Sequence, residues 1–259
     1  MPTVMIDGQP LYYAHKRGPA GAPTLVLIHG AGGSHLDWPR ELRRLPQASV
    51  IALDLPGHGR SALPGREEIG VYAAAVQALL DGLPPGDYVL AGHSMGGAIA
   101  QEIALQRPAW LRGLVLIGTG ARLPVNPLLI EQATTDFQRV VDFLVRYYWS
   151  PQAPPERLAM SRAQLAKTAP EVLRGDFLAC DRFDRREEVA RIEAPALVIS
   201  SHADKLVPHK FGAYLAATIP RAELLSLEEA AHMMVLEQPE RIASAIASFL
   251  AWLAAGEMA

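Results

Sequence analysis

Short, continuous apolar runs recur along the chain, each closed by turn residues: Leu11 to His15, Thr24 to His29, Ser49 to Asp54, Tyr88 to Gly92, Leu114 to Gly118, Ala196 to Ser200 and Glu223 to Leu227. Most of these runs do not alternate apolar with polar positions, so they predict strands covered on both faces, as in a parallel sheet between two layers of helices. Helical patterns lie between them at Glu67 to Leu80, Met95 to Gln106, Lys210 to Ala217 and Glu240 to Leu253. In the last of these, Ile242, Ile246, Phe249, Leu250 and Leu253 recur at helical spacing. The stretch around Val4 and Tyr12 alternates instead, and predicts an antiparallel hairpin at the sheet edge.

This rhythm stops between Gly118 and Ala196. Asn126-Pro127, Pro151, Pro154-Pro155 and Pro170 divide the interval into helical segments. In the first segment Ile130, Ala133, Phe137, Val140, Val141, Leu144 and Tyr148 fall on one face, which predicts a single long helix. The economical reading is a helical cap inserted over the carboxyl end of the sheet. It divides the chain into a core, residues 1–120 and 190–259, and an insertion, residues 121–189.

Composition narrows the classes. At 259 residues, half of them apolar and a fifth charged, the chain suits one soluble domain with a sizeable core. A net charge of −3, with basic pairs such as Arg43-Arg44 and Arg185-Arg186 scattered apart, gives no electrostatic reason to expect nucleic acid. The single cysteine, Cys180, follows Leu178-Ala179 on an apolar helix face; it reads as a buried structural thiol and fits a reducing compartment. The first residues lack the basic start and apolar stretch of a signal peptide, and no apolar run reaches the ~18 residues of a membrane span. The expectation is a cytoplasmic protein, monomer or homodimer.

Candidate chemistry centres on Gly92-His93-Ser94-Met95-Gly96, a G-x-S-x-G between the strand Tyr88 to Ala91 and a helix-forming run. A serine on so sharp a turn needs small neighbours, and Gly92, Gly96 and Gly97 supply them. The plainer alternative makes Ser94 only a helix N-cap. The strand ending at His29 runs into Gly30-Ala31-Gly32-Gly33, a loop able to expose backbone N–H groups. The strand ending at Asp54 runs into Leu55-Pro56-Gly57-His58-Gly59-Arg60-Ser61.

These segments, an HGxGG-type loop, a D-x-P-G-x-G-x-S stretch and a GHSMGG elbow in that order, resemble the α/β-hydrolase family from about Leu11 to Leu253. The resemblance implies an α/β-hydrolase fold, a mostly parallel, twisted, eight-stranded sheet with helices on both faces, and a cap after the sixth strand. It also implies a triad in the order Ser, acid, His. The acid then falls on Asp204 in Ser201-His202-Ala203-Asp204-Lys205-Leu206-Val207-Pro208, with Asp181 and Asp184 as competitors, and His202 as a solvated loop histidine. The base falls on His232, preceded by Ala231 where the family usually has glycine, and followed by an M-x-L-E-x-P pattern. His29, His58 and His93 occupy positions that are generally structural in the family.

The elbow geometry makes the Met95 N–H one oxyanion donor, and the resemblance supplies Ala31 as the second. No H-E-x-x-H pattern and no G-x-G-x-x-G with its later acid occurs, so neither metal nor cofactor is expected. The implied activity is a serine carboxylesterase that cleaves small esters of short to medium acyl chain through an acyl-enzyme. Leu36, Trp38, Phe137, Val141, Leu144, Tyr148 and Trp149 are the expected pocket lining. A lactonase, a monoacylglycerol lipase, a carbon–carbon bond hydrolase and a cofactor-free perhydrolase share the fold, as do non-catalytic receptors that use the capped pocket to bind small molecules. A serine at the elbow argues against haloalkane dehalogenases and epoxide hydrolases.

Overall fold

The computed structural model describes residues 2–6, 8–62 and 64–256. Eight strands form one sheet: β1 (Thr3–Ile6), β2 (Gln9–Lys16), β3 (Thr24–Ile28), β4 (Ser49–Leu53), β5 (Tyr88–His93), β6 (Leu111–Ile117), β7 (Ala196–Ser201) and β8 (Ala222–Leu227). Their spatial order is β1-β2-β4-β3-β5-β6-β7-β8. The β1/β2 and β2/β4 pairs are antiparallel and the rest parallel, so the alternating amino-terminal stretch does form the edge hairpin. Ten α-helices accompany these strands among the described residues: α1 (Arg40–Arg43), α2 (Ile69–Asp81), α3 (Met95–Leu105), α4 (Pro127–Thr135), α5 (Phe137–Tyr148), α6 (Pro155–Leu165), α7 (Pro170–Arg182), α8 (His209–Thr218), α9 (Met234–Glu237) and α10 (Pro239–Ala254).

The continuous apolar strands are explained by what covers them. Val26 and Ile28 of β3 face a layer holding Tyr72 and Val76 of α2 and Ile99 and Ile103 of α3. Leu25 and Leu27, one position out of phase, face Leu42 of α1 and Ile242, Ile246 and Leu250 of α10. Each such side chain removed from water contributes roughly 1.5–3 kcal/mol, and a strand buried on both sides has no position left for a polar residue.

The interval between β6 and β7 holds α4 to α7, with a small apolar centre of its own built on Ala133, Val140, Val141, Leu144, Leu165, Leu173 and Phe177. The single helix expected for its first segment is in fact two. Asp136 leaves the helical region (φ −149°, ψ 62°), and its side chain accepts the Arg139 N–H as the N-cap of α5. The Thr134 and Thr135 hydroxyls turn back to the Glu131 carbonyl. Side chains of this kind compete with the backbone for its hydrogen bonds, which is why an apolar stripe that continues across Thr134-Thr135-Asp136 does not keep the helix continuous. No helix of the described residues is long and apolar enough to cross a membrane.

Candidate active site

Ser94 sits where β5 turns into α3, with φ 54° and ψ −118°. Among the described residues only Ser94 and Arg107 combine a side chain beyond glycine with positive φ. Such a conformation persists only when its surroundings enforce it. Here the Ser94 N–H is bound by the Ile117 carbonyl of β6 at 2.9 Å. A Cβ on Gly92 would collide with the Gly96 backbone, and one on Gly96 with the Ile28 carbonyl. The plain N-cap role is corrected, because the Ser94 side chain makes no capping hydrogen bond to α3 and its backbone is not in the extended conformation of a cap.

The loops after β7 and β8 bring Asp204 and His232 together, both almost fully buried. His232 Nδ1–H donates to Asp204 Oδ2 at 2.8 Å. The other carboxylate oxygen accepts the Leu206 and Val207 N–H groups, both at 2.9 Å, so the acid is clamped from behind. With Nδ1 as donor, Nε2 is the basic nitrogen. His93 Nε2–H holds the His232 carbonyl at 2.9 Å, and its ring lies 4.8 Å from the His232 ring. The competing acids are elsewhere: Asp181 accepts the Val125 N–H at 3.0 Å, and Asp184 pairs with Arg186 at 2.6 Å. His202 is exposed and stacks on His209 at 3.9 Å.

The loop after β3 leaves the Ala31 N–H facing no protein acceptor among the described residues, and the same holds for Met95 at the start of α3. The preceding carbonyl, Gly30 O, is fixed by His29 Nδ1–H at 2.8 Å and by the Gly33 N–H at 3.1 Å. His29 Nε2 accepts the Leu55 N–H at 3.0 Å, which defines a neutral tautomer. Burial, reinforced by the nearby His58, accordingly lowers its pKa to about 4. An unfolded chain takes up this proton near pH 6.5, whereas the folded one refuses it until about pH 4, so stability falls as pH drops through that window, by about 1.4 kcal/mol per pH unit for each such group. Between pH 7 and pH 5 urea stability is expected to fall less, or rise more, in His29→Gln, which can replace both hydrogen bonds, than in the wild type, the opposing contributions of Asp37 and His58 being common to both.

Ser94 and His232 open onto two cavities on either side of Tyr148. One, of about 100 Å³, is walled by Gly30 to Gly33, Leu36, Trp149, Met160 and Leu236. The other, of about 260 Å³, is walled by Leu123, Val125, Phe143, Leu144, Phe177 and Val207, with Arg122 and Lys205 also on its lining. Burial pushes Asp37, on the smaller cavity, up to about 6, so it is still mostly ionised at pH 7; burial raises Tyr148 and Cys180 well above their usual values, so those two keep their protons at neutral pH. A larger open groove, about 1190 Å³, lies at the opposite ends of the strands, around Thr24, Ser49 and Leu111, and is lined by none of Ser94, Asp204 and His232.

The sequence model of the alpha/beta hydrolase family matches residues 25–245. The chain belongs to the alpha/beta hydrolase family. It is 33% identical to a putative carbamate hydrolase, RutD, of Pseudomonas syringae over 89% of this chain and 95% of that protein. It is 30% identical to the pimeloyl-[acyl-carrier protein] methyl ester esterase of Yersinia enterocolitica, covering 88% and 93%. A solved thermophilic esterase superimposes with a TM-score of 0.85 at 30% identity, covering 97% of each chain. The protein is thus an enzyme of the hydrolase class, with esterase-like relatives.

Against this family frame, the expected lining needs correction. Leu36, Tyr148 and Trp149 border the smaller cavity, and Leu144 and Tyr148 the larger. Trp38, Phe137 and Val141 border neither. Trp38 is buried with Leu42 under the sheet, Val141 is inside the insertion's own centre, and Phe137 packs against that centre. The apolar stripe of α5 serves two purposes, and only its last turns reach Ser94; periodicity cannot separate them. Two carboxylates went unrecognised in the sequence. Glu237, the acid of the M-x-L-E-x-P pattern, accepts the Ala231 N–H beside His232 at 2.6 Å and the Ser150 N–H of the insertion at 2.8 Å. The other, Asp176, stands in α7 without any local motif.

Proposed function

We propose that this hydrolase is a serine carboxylesterase in which Ser94 is the nucleophile, His232 the general base and then acid, and Asp204 the group that orients His232. The observation that carries this reading is the convergence on the same cavity walls of a strained serine, a histidine whose Nδ1 is committed to a clamped carboxylate, and Ala31, whose N–H, like that of Met95 next to Ser94, has no acceptor among the described residues. His232 Nε2 takes the Ser94 proton as Oγ attacks the ester carbonyl, and the developing oxyanion is met by the Ala31 and Met95 N–H groups. The tetrahedral intermediate collapses to the acyl-enzyme as His232 returns the proton to the departing alkoxide. Water deprotonated by His232 then releases the acid. Each oxyanion donor of this type contributes about 10²–10³ in kcat.

The larger apolar cavity is assigned to the acyl chain and the smaller one to the alcohol. Labelling of Ser94 by a fluorophosphonate, followed by turnover of p-nitrophenyl esters of increasing acyl length, tests the reading. Unlabelled Ser94 in the folded protein would end it. Leu144→Ala is expected to move the octanoate to acetate ratio of kcat/KM by about ten-fold, since a change of a few methylene-sized contacts is worth ~1–3 kcal/mol. Phe137→Ala, off the cavity, is expected to leave that ratio unchanged.

A further inference from the structure

Asp176 has no exposed surface, yet it carries a carboxylate. Its Oδ2 accepts the Gly32 N–H at 2.8 Å and His58 Nε2–H at 2.8 Å, and its Oδ1 accepts the Tyr72 hydroxyl at 2.6 Å. His58 Nδ1 faces the Pro56 carbonyl at 3.0 Å, so both ring nitrogens meet acceptors and the ring is a cation. Burial opposes that charge, but the adjacent Asp176 outweighs it and the His58 pKa is raised. Buried ion pairs of this kind are commonly no more stabilising than well-packed apolar residues, so stability alone is a poor account of why one stands here.

What the pair does uniquely is grip the oxyanion loop. The Ala31–Gly32 peptide unit is held at its N–H by Asp176 and at its C=O by the Tyr148 hydroxyl, at 3.4 Å. The Gly32 carbonyl accepts the Thr168 hydroxyl at 2.9 Å. Gly32 itself has φ +65°, and a Cβ there would stand 3.0 Å from Leu173 and 3.1 Å from Leu165. Asp176, Thr168, Tyr148, Leu165 and Leu173 all belong to the insertion. The insertion therefore holds the peptide unit adjoining the Ala31 N–H at both its N–H and its C=O.

We propose that Asp176 is a positioning residue for the oxyanion hole, and that the insertion is a fixed wall of the active site whose docking through Asp176 and Thr168 aims the Ala31 N–H. The inference rests on Ser94 as nucleophile and Ala31 as donor. A lid that swung away would release Gly32 and disarm the site.

The test compares Asp176→Asn, Thr168→Val and Tyr72→Phe using p-nitrophenyl butyrate and a trifluoromethyl ketone, whose hydrated or serine-bound adduct mimics the oxyanion. Tyr72→Phe removes a partner of Asp176 without touching Gly32, and so reports the structural share alone. Asp176→Asn is expected to lower kcat about ten- to hundred-fold at nearly constant KM, and Thr168→Val about ten-fold, with the ketone Ki rising in parallel, because a small misplacement of a reacting geometry is costly. Tyr72→Phe should lower the thermal midpoint and leave kcat and Ki within two-fold or about that. Thr168→Ser should restore the Thr168→Val loss, and this pair decides the matter if Asp176→Asn does not fold. Lowered midpoints with unchanged kcat and Ki in the Asp176 and Thr168 variants overturn the inference while leaving the esterase reading intact. Turnover by Ser94→Ala would remove both.

Discussion

Ser94→Ala is expected to lose essentially all ester turnover, with kcat falling on the order of 10⁶-fold by analogy with serine hydrolases whose nucleophile has been removed. The fold should persist. Alanine is accommodated at φ 54° no worse than serine, and the side chain it replaces makes no capping bond that α3 would miss. The oxyanion donors are untouched, so a residual rate of ~10³ over water can survive. The check is kcat for p-nitrophenyl butyrate together with the thermal midpoint. A variant that keeps the wild-type rate and midpoint would refute the nucleophile assignment.

Asp204→Asn is expected to be the second largest lesion, a fall in kcat of about 10⁴ in the serine-protease precedent. The local hydrogen bonds explain why an isosteric change is so damaging. Leu206 and Val207 present two N–H donors to Oδ1. The amide oxygen of asparagine must face them, which turns its NH₂ toward His232 Nδ1. That nitrogen then has to accept, the proton moves to Nε2, and the imidazole is no longer a base toward Ser94. Asp184→Asn should have little effect on kcat, because Asp184 is partly exposed and engaged with Arg186, which holds its carboxyl below the usual range. Asp181→Asn should be similarly mild, since it caps the Val125 N–H at the surface. A severe Asp184→Asn beside a mild Asp204→Asn would reverse the assignment.

The places where sequence reading stops have two causes. The strand runs such as Leu25 to Ile28 are legible because burial on both faces forces continuous apolarity over a few residues. Ser94 is legible because its turn demands glycines at fixed offsets within the same short segment. Asp176 is not, since its partners Gly32, His58 and Tyr72 lie in three distant segments and nothing near it in the chain announces them. The α4/α5 break is hidden for a different reason: the apolar stripe is continuous across Asp136, and the side-chain capping that interrupts the helix competes with that pattern locally.

By itself the sequence determined the alternation of strand and helix and the glycine-flanked turn that carries Ser94, because each depends on residues within one turn or one strand of each other. Tertiary structure alone decided which side chains face Ser94. Val141 and Leu144 share one apolar stripe of α5, yet Val141 fills the insertion's interior and Leu144 lines the cavity. It also decided that Asp176 and Thr168 hold Gly32 from more than a hundred residues away. Helical periodicity fixes which way a residue points around its own axis; what meets it there depends on how separate segments pack, and that packing is not written in any local pattern.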